Sequence, residues 1–138
     1  LNEHGHKGAL FVCGMRIDNA DGKLLFLDHL LNRATFYNDL SKKVLGREVA
    51  HTVLLHHNLL NSLFLDELIK MSQNKGWRLI DAKGAFQDAV YSSAPNILPA
   101  GESILWALAK ETGKFENILR YPGEDETYEK EKMDKLGL

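Results

Sequence analysis

Three short apolar runs interrupt an otherwise mixed pattern of apolar and polar positions. They are Gly8–Gly14 (GALFVCG), Glu48–Leu55 (EVAHTVLL) and Trp77–Asp81 (WRLID). A continuous apolar run of this length is typical of a strand that is buried on both faces of a parallel sheet. The pattern therefore predicts three buried strands.

Between and after these runs, apolar residues recur at the spacing of three to four positions that marks an amphipathic helix. This spacing predicts helices over Gly22–Leu31, Arg33–Leu45, Asn58–Lys75, Ala82–Ala89 and Glu102–Thr112. Strands that alternate with helices indicate an α/β architecture, with few parallel strands and flanking helices. So small a sheet would leave strand edges exposed, and these edges would allow the chain to self-associate.

The length of 138 residues corresponds to one domain. After Pro122 the chain becomes polar, with few apolar positions in the stretch GEDETYEKEKMDK. We therefore expect residues 1–121 to form a single α/β domain and residues 122–138 to form a polar C-terminal tail.

Composition and charge narrow the classes of partner. Lys and Arg number 17 against 19 Asp and Glu, which gives a net charge of -2 and no basic excess of the kind that nucleic-acid binding favours. The apolar runs are too short to span a bilayer. We expect neither nucleic acid nor a membrane as a partner. Cys13 is the only cysteine, so the sequence has neither an internal disulfide nor a cysteine-based zinc site.

The pair His56-His57 is the sharpest candidate for chemistry. It follows the second apolar run and precedes a predicted helix, where ligands bind in α/β folds. Adjacent strand residues point to opposite faces, so the two imidazoles would not easily share one metal. An imidazole at this position can move protons near neutral pH. The alternative is structural, with one histidine packed and hydrogen-bonded and the other solvated.

A family resemblance is carried by consecutive elements in the middle of the chain. They are the Leu-x-His element Leu54-Leu55-His56, the aromatic and apolar segment Gly76–Ile80, and the acidic segment Asp81–Asp88. In this order they resemble the closing segment of the NodB-type polysaccharide deacetylases. The stretch His4–Lys23 (HGHKGALFVCGMRIDNADGK) also resembles a strand of that family.

The resemblance implies a distorted (β/α) barrel that hydrolyses the N-acetyl amide bond of a polysaccharide or oligosaccharide. It also implies a zinc-like divalent metal held by one Asp and two His, a second Asp as base, and a secreted or periplasmic location. By position, His56 would be the catalytic acid and Leu54 would line the acetyl pocket. The metal would polarise the acetyl carbonyl and its water, and the acid would protonate the departing amine.

The chain also departs from that family. The Asp-Asp pair and the His-x-x-x-His metal element are absent, so no metal ligand can be named. The sequence reads as two ends of a barrel joined near Asn32-Arg33, and a complete barrel needs roughly 200 residues or more. We therefore expect a partial (β/α)-barrel-like fold that this chain alone does not close, and no catalytic activity in the chain as it stands. The alternatives are a non-catalytic α/β module that binds carbohydrate or protein, and an unrelated small α/β domain.

Overall fold

The computed structural model describes residues 20–57, 59–98, 102–122, 131 and 134–135. Within these ranges the chain is helical. The α-helices with assigned bounds are α1 (Ala20–Leu45), α2 (Leu59–Asn74), α3 (Ala82–Ala85) and α4 (Ile104–Thr112), and the 3₁₀ helices are Ala89–Ser92 and Glu116–Ile118. Most of the predicted polar tail, 122–138, lies outside the described residues.

The predicted α/β fold is wrong, because the described residues contain no strand and therefore form no sheet and no partial (β/α) barrel. The runs Glu48–Leu55 and Trp77–Asp81 are connections between helices, and Gly8–Gly14 lies outside the described residues. A short apolar run does not distinguish a buried strand from a connection that packs on helices. Here the second reading applies, because Leu55 and Trp77 pack against apolar side chains of α1 and α2.

The two helices predicted over 22–31 and 33–45 are one continuous helix, α1, which passes through Asn32-Arg33 without a break. No proline lies within α1, and the Thr35 hydroxyl donates to the Leu31 carbonyl at 2.9 Å, so this polar side chain is accommodated within the helix. The helix ends at Gly46, which has a φ of 70° and donates its N–H to the Lys42 carbonyl at 2.9 Å. A left-handed residue in this position terminates a helix, and glycine adopts it without a steric penalty.

Helix α1 contributes to two separate apolar clusters, one near each end. The first cluster is shared with α2 and consists of Phe26, Leu27, Leu31 and Leu68. The second is shared with α4 and the 3₁₀ helix that precedes it, and it consists of Leu40, Val90, Leu105, Trp106, Ala109 and Leu119. Because burial of apolar surface is the main stabilising contribution, α1 is the element that holds α2 and α4 in place.

Helix α4 agrees with the sequence prediction because its ends are set locally. The Ser103 hydroxyl accepts the Trp106 N–H at 3.1 Å, which caps the first turn. Gly113 ends the helix in the left-handed conformation, with a φ of 68°. The apolar face between these caps includes Trp106, which is buried in the second cluster as an ordinary core residue.

Candidate functional site

Both residues of the candidate site, Leu54 and His56, lie in the connection that leads from Gly46 to the start of α2 at Leu59. This connection is not a strand, so the expected position at the mouth of a sheet does not exist in the described part of the chain. Its geometry is instead set by side chains that hold it at defined points.

The strongest of these contacts joins Arg47 to Asp88. The Arg47 guanidinium donates to both carboxylate oxygens of Asp88, from Nη2 to Oδ1 at 2.7 Å and from Nη1 to Oδ2 at 3.1 Å. The carboxylate also accepts the backbone N–H of Val90 at 2.9 Å and that of Ala50 at 3.0 Å. The hydrogen bonds from Arg47, with those from Val90 and Ala50, hold the pKa of Asp88 well below its usual range.

The carbonyl of Ala50 is hydrogen-bonded to the same segment as its N–H. The Tyr91 hydroxyl donates to it at 2.9 Å, so that both backbone polar groups of Ala50 are bonded to the segment around the 3₁₀ helix Ala89–Ser92. The Tyr91 ring meets the ring of Phe86 edge to face, with centroids 4.9 Å apart. The connection is therefore fixed at Ala50, four residues before Leu54.

His51 lies half-buried between α1 and Trp77, which lies three residues after the end of α2. Its Nε2 is 3.3 Å from Oδ1 of Asn38, and its ring lies edge-on to Trp77 with centroids 5.9 Å apart. Burial lowers the pKa of His51, and the carboxylates of Asp88 and Glu48 oppose this shift. His51 is therefore an interface histidine whose neutral form is favoured by its surroundings.

His56 is exposed, and its backbone is held from the first turn of α2. The Asn61 side-chain amide donates to the His56 carbonyl at 2.6 Å. Leu54 is 43% exposed. The structure thus places an accessible apolar side chain and an accessible imidazole two positions apart, on a segment held at Ala50 and at His56. His57 is also exposed.

The divalent metal implied by the family resemblance does not fit the residues described. In the part of the chain that the structure describes, no group of three His, Cys, Asp or Glu side chains comes together in a way that could hold a metal ion. Both oxygens of Asp88 are occupied by hydrogen bonds from Arg47 and from backbone N–H groups. We therefore assign no chemical step that depends on a metal.

Among the other polar residues that follow predicted strands, Asp81 has a structural role and three lie outside the described residues. Asp81 caps α3, where its carboxylate accepts the Gly84 N–H at 2.6 Å. Arg16, Asp18 and Asn19, which follow the predicted strand Gly8–Gly14, where a ligand would bind in an α/β fold, lie outside the described residues. The sequence did not predict the pairing of Arg47 with Asp88. The sequence holds a partial signal for it, because an Asp two residues before Val90 is typical of an Asx turn, but nothing local indicates its arginine partner.

Comparison with protein-family models, with curated proteins and with solved structures finds no match to this chain. None of the described helices combines the length and apolar character that crossing a bilayer requires.

Proposed function

We propose that this chain is a relative of the polysaccharide deacetylases that recognises N-acetylated polysaccharide or oligosaccharide through Leu54 and His56. The observation that supports the proposal is the accessible pair itself. An apolar side chain and an imidazole lie two positions apart on a segment whose backbone is held at Ala50 and at His56. A binding site needs this combination of an apolar contact and a positioned polar group.

The two side chains suit the two parts of an acetamide group. The branched hydrocarbon of Leu54 can pack against the acetyl methyl, and the imidazole of His56 can exchange a hydrogen bond with the amide. In a complete deacetylase the same imidazole would be the acid that protonates the departing amine. Hydrolysis also needs a metal and a carboxylate base, and the described residues form no group of three His, Cys, Asp or Glu side chains that could hold the metal. We therefore propose recognition without turnover for this chain.

Recognition is tested by titrating isotope-labelled protein with an N-acetylglucosamine oligomer and following the Leu54 methyl and His56 ring resonances by NMR. The matched ligand control is the fully deacetylated glucosamine oligomer, which lacks the acetyl group. We expect shifts with the acetylated ligand alone, weakened at least several-fold by His56→Ala and retained in His57→Ala. Equal responses to both ligands, or none to either, would overturn the proposal.

The absence of turnover is tested separately by measuring acetate release from the same oligomer with added Zn²⁺. We expect no release above the metal-only control. Acetate release that depends on the protein and disappears in His56→Ala would show that the chain is a catalyst and would refute the non-catalytic part of the proposal.

A further inference from the structure

The side chain of His51 joins the connection between α1 and α2 to groups on both sides of it. The ring is half-buried, with Nε2 3.3 Å from Oδ1 of Asn38 on α1, and it lies edge-on to Trp77 with centroids 5.9 Å apart. The next three residues, 52–54, are exposed, and Leu55 packs on the first cluster. His51 and Leu55 therefore attach this part of the connection to the helices.

The hydrogen bonds of Asn38 determine which nitrogen of His51 carries a hydrogen. The Asn38 amide nitrogen donates to Oε1 of Glu48 at 3.1 Å. A carboxylate only accepts, so the amide oxygen of Asn38 faces His51, and an amide oxygen also only accepts. The neutral ring of His51 therefore carries its hydrogen on Nε2. Nδ1 is the nitrogen that takes up a proton in acid.

The charged groups that act on His51 are paired with other residues. Burial lowers the pKa of the imidazole, and the carboxylates of Asp88 and Glu48 oppose this shift. Asp88 is bound by Arg47 at 2.7 Å, and Glu48 is bound by Lys42 at 2.8 Å. The groups that the ring contacts on α1 and after α2 are an amide and an indole, and neither of them is charged. A protonated ring at this place therefore lacks a partner that would offset its burial.

The connection is anchored on either side of residues 51–55 by groups that keep their state when a histidine titrates. The N–H of Ala50 donates to Asp88, whose hydrogen bonds hold its pKa well below the usual range of a carboxyl. The Ala50 carbonyl accepts from the Tyr91 hydroxyl, and the His56 carbonyl accepts from the Asn61 amide. Both anchors therefore persist at a pH that protonates an imidazole.

We propose that His51 is a pH-sensitive switch of this connection. Proton uptake at Nδ1 releases the ring from α1 and Trp77 and frees residues 51–55, while the anchors at Ala50 and His56 hold. The physical reason is that a charged ring is more stable in water than in an interface that offers it no free counter-ion.

The freed segment includes Leu54, so acid would also change the surroundings of a proposed recognition residue. That consequence rests on the proposed function, whereas the release itself does not. Thr52 opposes the release weakly, because its hydroxyl lies 3.4 Å from that of Tyr91, which is long for a hydrogen bond between hydroxyls.

NMR of the unliganded protein tests the switch. Near pH 7 the nitrogen resonances of His51 should show a hydrogen on Nε2 of a neutral ring. As the pH is lowered to about 4.5, the Overhauser contacts of His51 with Trp77, and those of Leu55 with the first cluster, should be lost. We expect both losses to follow the titration of His51, with one midpoint below about 6.5, while the resonances of Trp106 in the second cluster stay native.

His51→Gln is the matched variant, because its amide can donate to Asn38 but takes up no proton in this range. It should keep the Leu55 contacts at every pH, whereas His57→Gln, which removes an exposed histidine, should keep the wild-type transition. A transition in H51Q like that of the wild type would overturn the proposal.

Three results with the wild type alone would also overturn it, so the proposal stays testable even if H51Q does not fold. They are a neutral His51 ring that carries its hydrogen on Nδ1, titration of His51 with its contacts retained, and loss of the native Trp106 resonances at the same midpoint. The last result would mean that acid unfolds the whole protein.

Discussion

The guanidinium of Arg47 holds both carboxylate oxygens of Asp88, a residue 41 positions later in the chain. This pair connects the end of α1 with the start of the 3₁₀ helix Ala89–Ser92, and it includes the N–H of Ala50 in the same set of hydrogen bonds. Bidentate pairing of this kind defines both distance and orientation. The position of the connection that carries the candidate site therefore depends on Arg47 and Asp88.

Replacing Asp88 by Asn should destabilise the protein by about 2 kcal/mol, because it removes the charge that three donor groups share. Urea unfolding measures the change. The matched control is Asp66→Asn, which makes the same replacement in the exposed pair of Asp66 with Lys70 and should leave the midpoint unchanged. Equal midpoints for D88N and D66N would refute the structural role of Asp88.

The same carboxylate predicts a specific response to acid. The pKa of Asp88 is held well below its usual range by Arg47, so the unfolded chain binds the proton more readily than the folded protein. This contribution is complete above the unfolded pKa of about 3.9 and is lost as the pH falls below it. Free energies of unfolding measured between about pH 2 and pH 6 should therefore show a steeper decline for the wild type than for D88N. Parallel curves would show that Asp88 does not contribute.

His51 predicts a second effect of pH, in a higher range. Burial lowers its pKa, so protonation favours the unfolded chain. Its contribution to stability is complete above the unfolded pKa of about 6.5 and is lost as the pH falls from there toward the folded value. His51→Gln should flatten the dependence of Tm on pH in this range. His57→Gln removes an exposed histidine and serves as the control, which should retain the wild-type profile. A wild-type profile in H51Q would contradict this prediction.

Leu40 tests the packing of α1 against α4. Leu40 is 2% exposed within the second cluster, whereas Leu98 is 80% exposed. Leu40→Ala should lower the free energy of unfolding by about 2–5 kcal/mol, because it removes buried methyl groups and leaves a cavity. Leu98→Ala makes the same chemical change at the surface and should alter stability by less than about 0.5 kcal/mol. Similar effects at both positions would mean that Leu40 is not in the core.

Asn32 tests the continuity of α1. This exposed residue lies inside the helix, so Asn32→Pro removes a helical hydrogen bond and should cost about 3 kcal/mol or more, with a loss of circular dichroism at the helical minimum. Asn32→Ala is the control and should be neutral or slightly stabilising. Tolerance of proline at this position would indicate a loop between two helices, as the sequence pattern first suggested.

The helices with clear local signals were predictable. Helix α2 was expected over Asn58–Lys75 and is found over Leu59–Asn74, and α4 was expected over Glu102–Thr112 and is found over Ile104–Thr112. In both, an apolar face recurs at helical spacing and a glycine follows the last turn. The prediction of strands was wrong because Glu48–Leu55 and Trp77–Asp81 have no periodicity that distinguishes a strand from a packed connection.

The candidate site was predictable only in part. The position of His56 shortly before a helix follows from the order of residues, and α2 begins three residues after it. The contacts of Arg47 with Asp88, and of His51 with Asn38 and Trp77, join residues that are far apart in the chain. No local pattern indicates such partners, because their proximity depends on how α1 packs against α2 and α4.

The sequence by itself located α2 and α4 to within two residues at each end, because apolar spacing and, in α4, the caps at Ser103 and Gly113 act over a few residues. Only the tertiary structure decided that the apolar connections pack on helices and that the Asp88 carboxylate accepts hydrogen bonds from Arg47. The physical reason is that burial and ion pairing depend on which surfaces are in contact in the folded protein. Local patterns along the chain do not indicate those contacts.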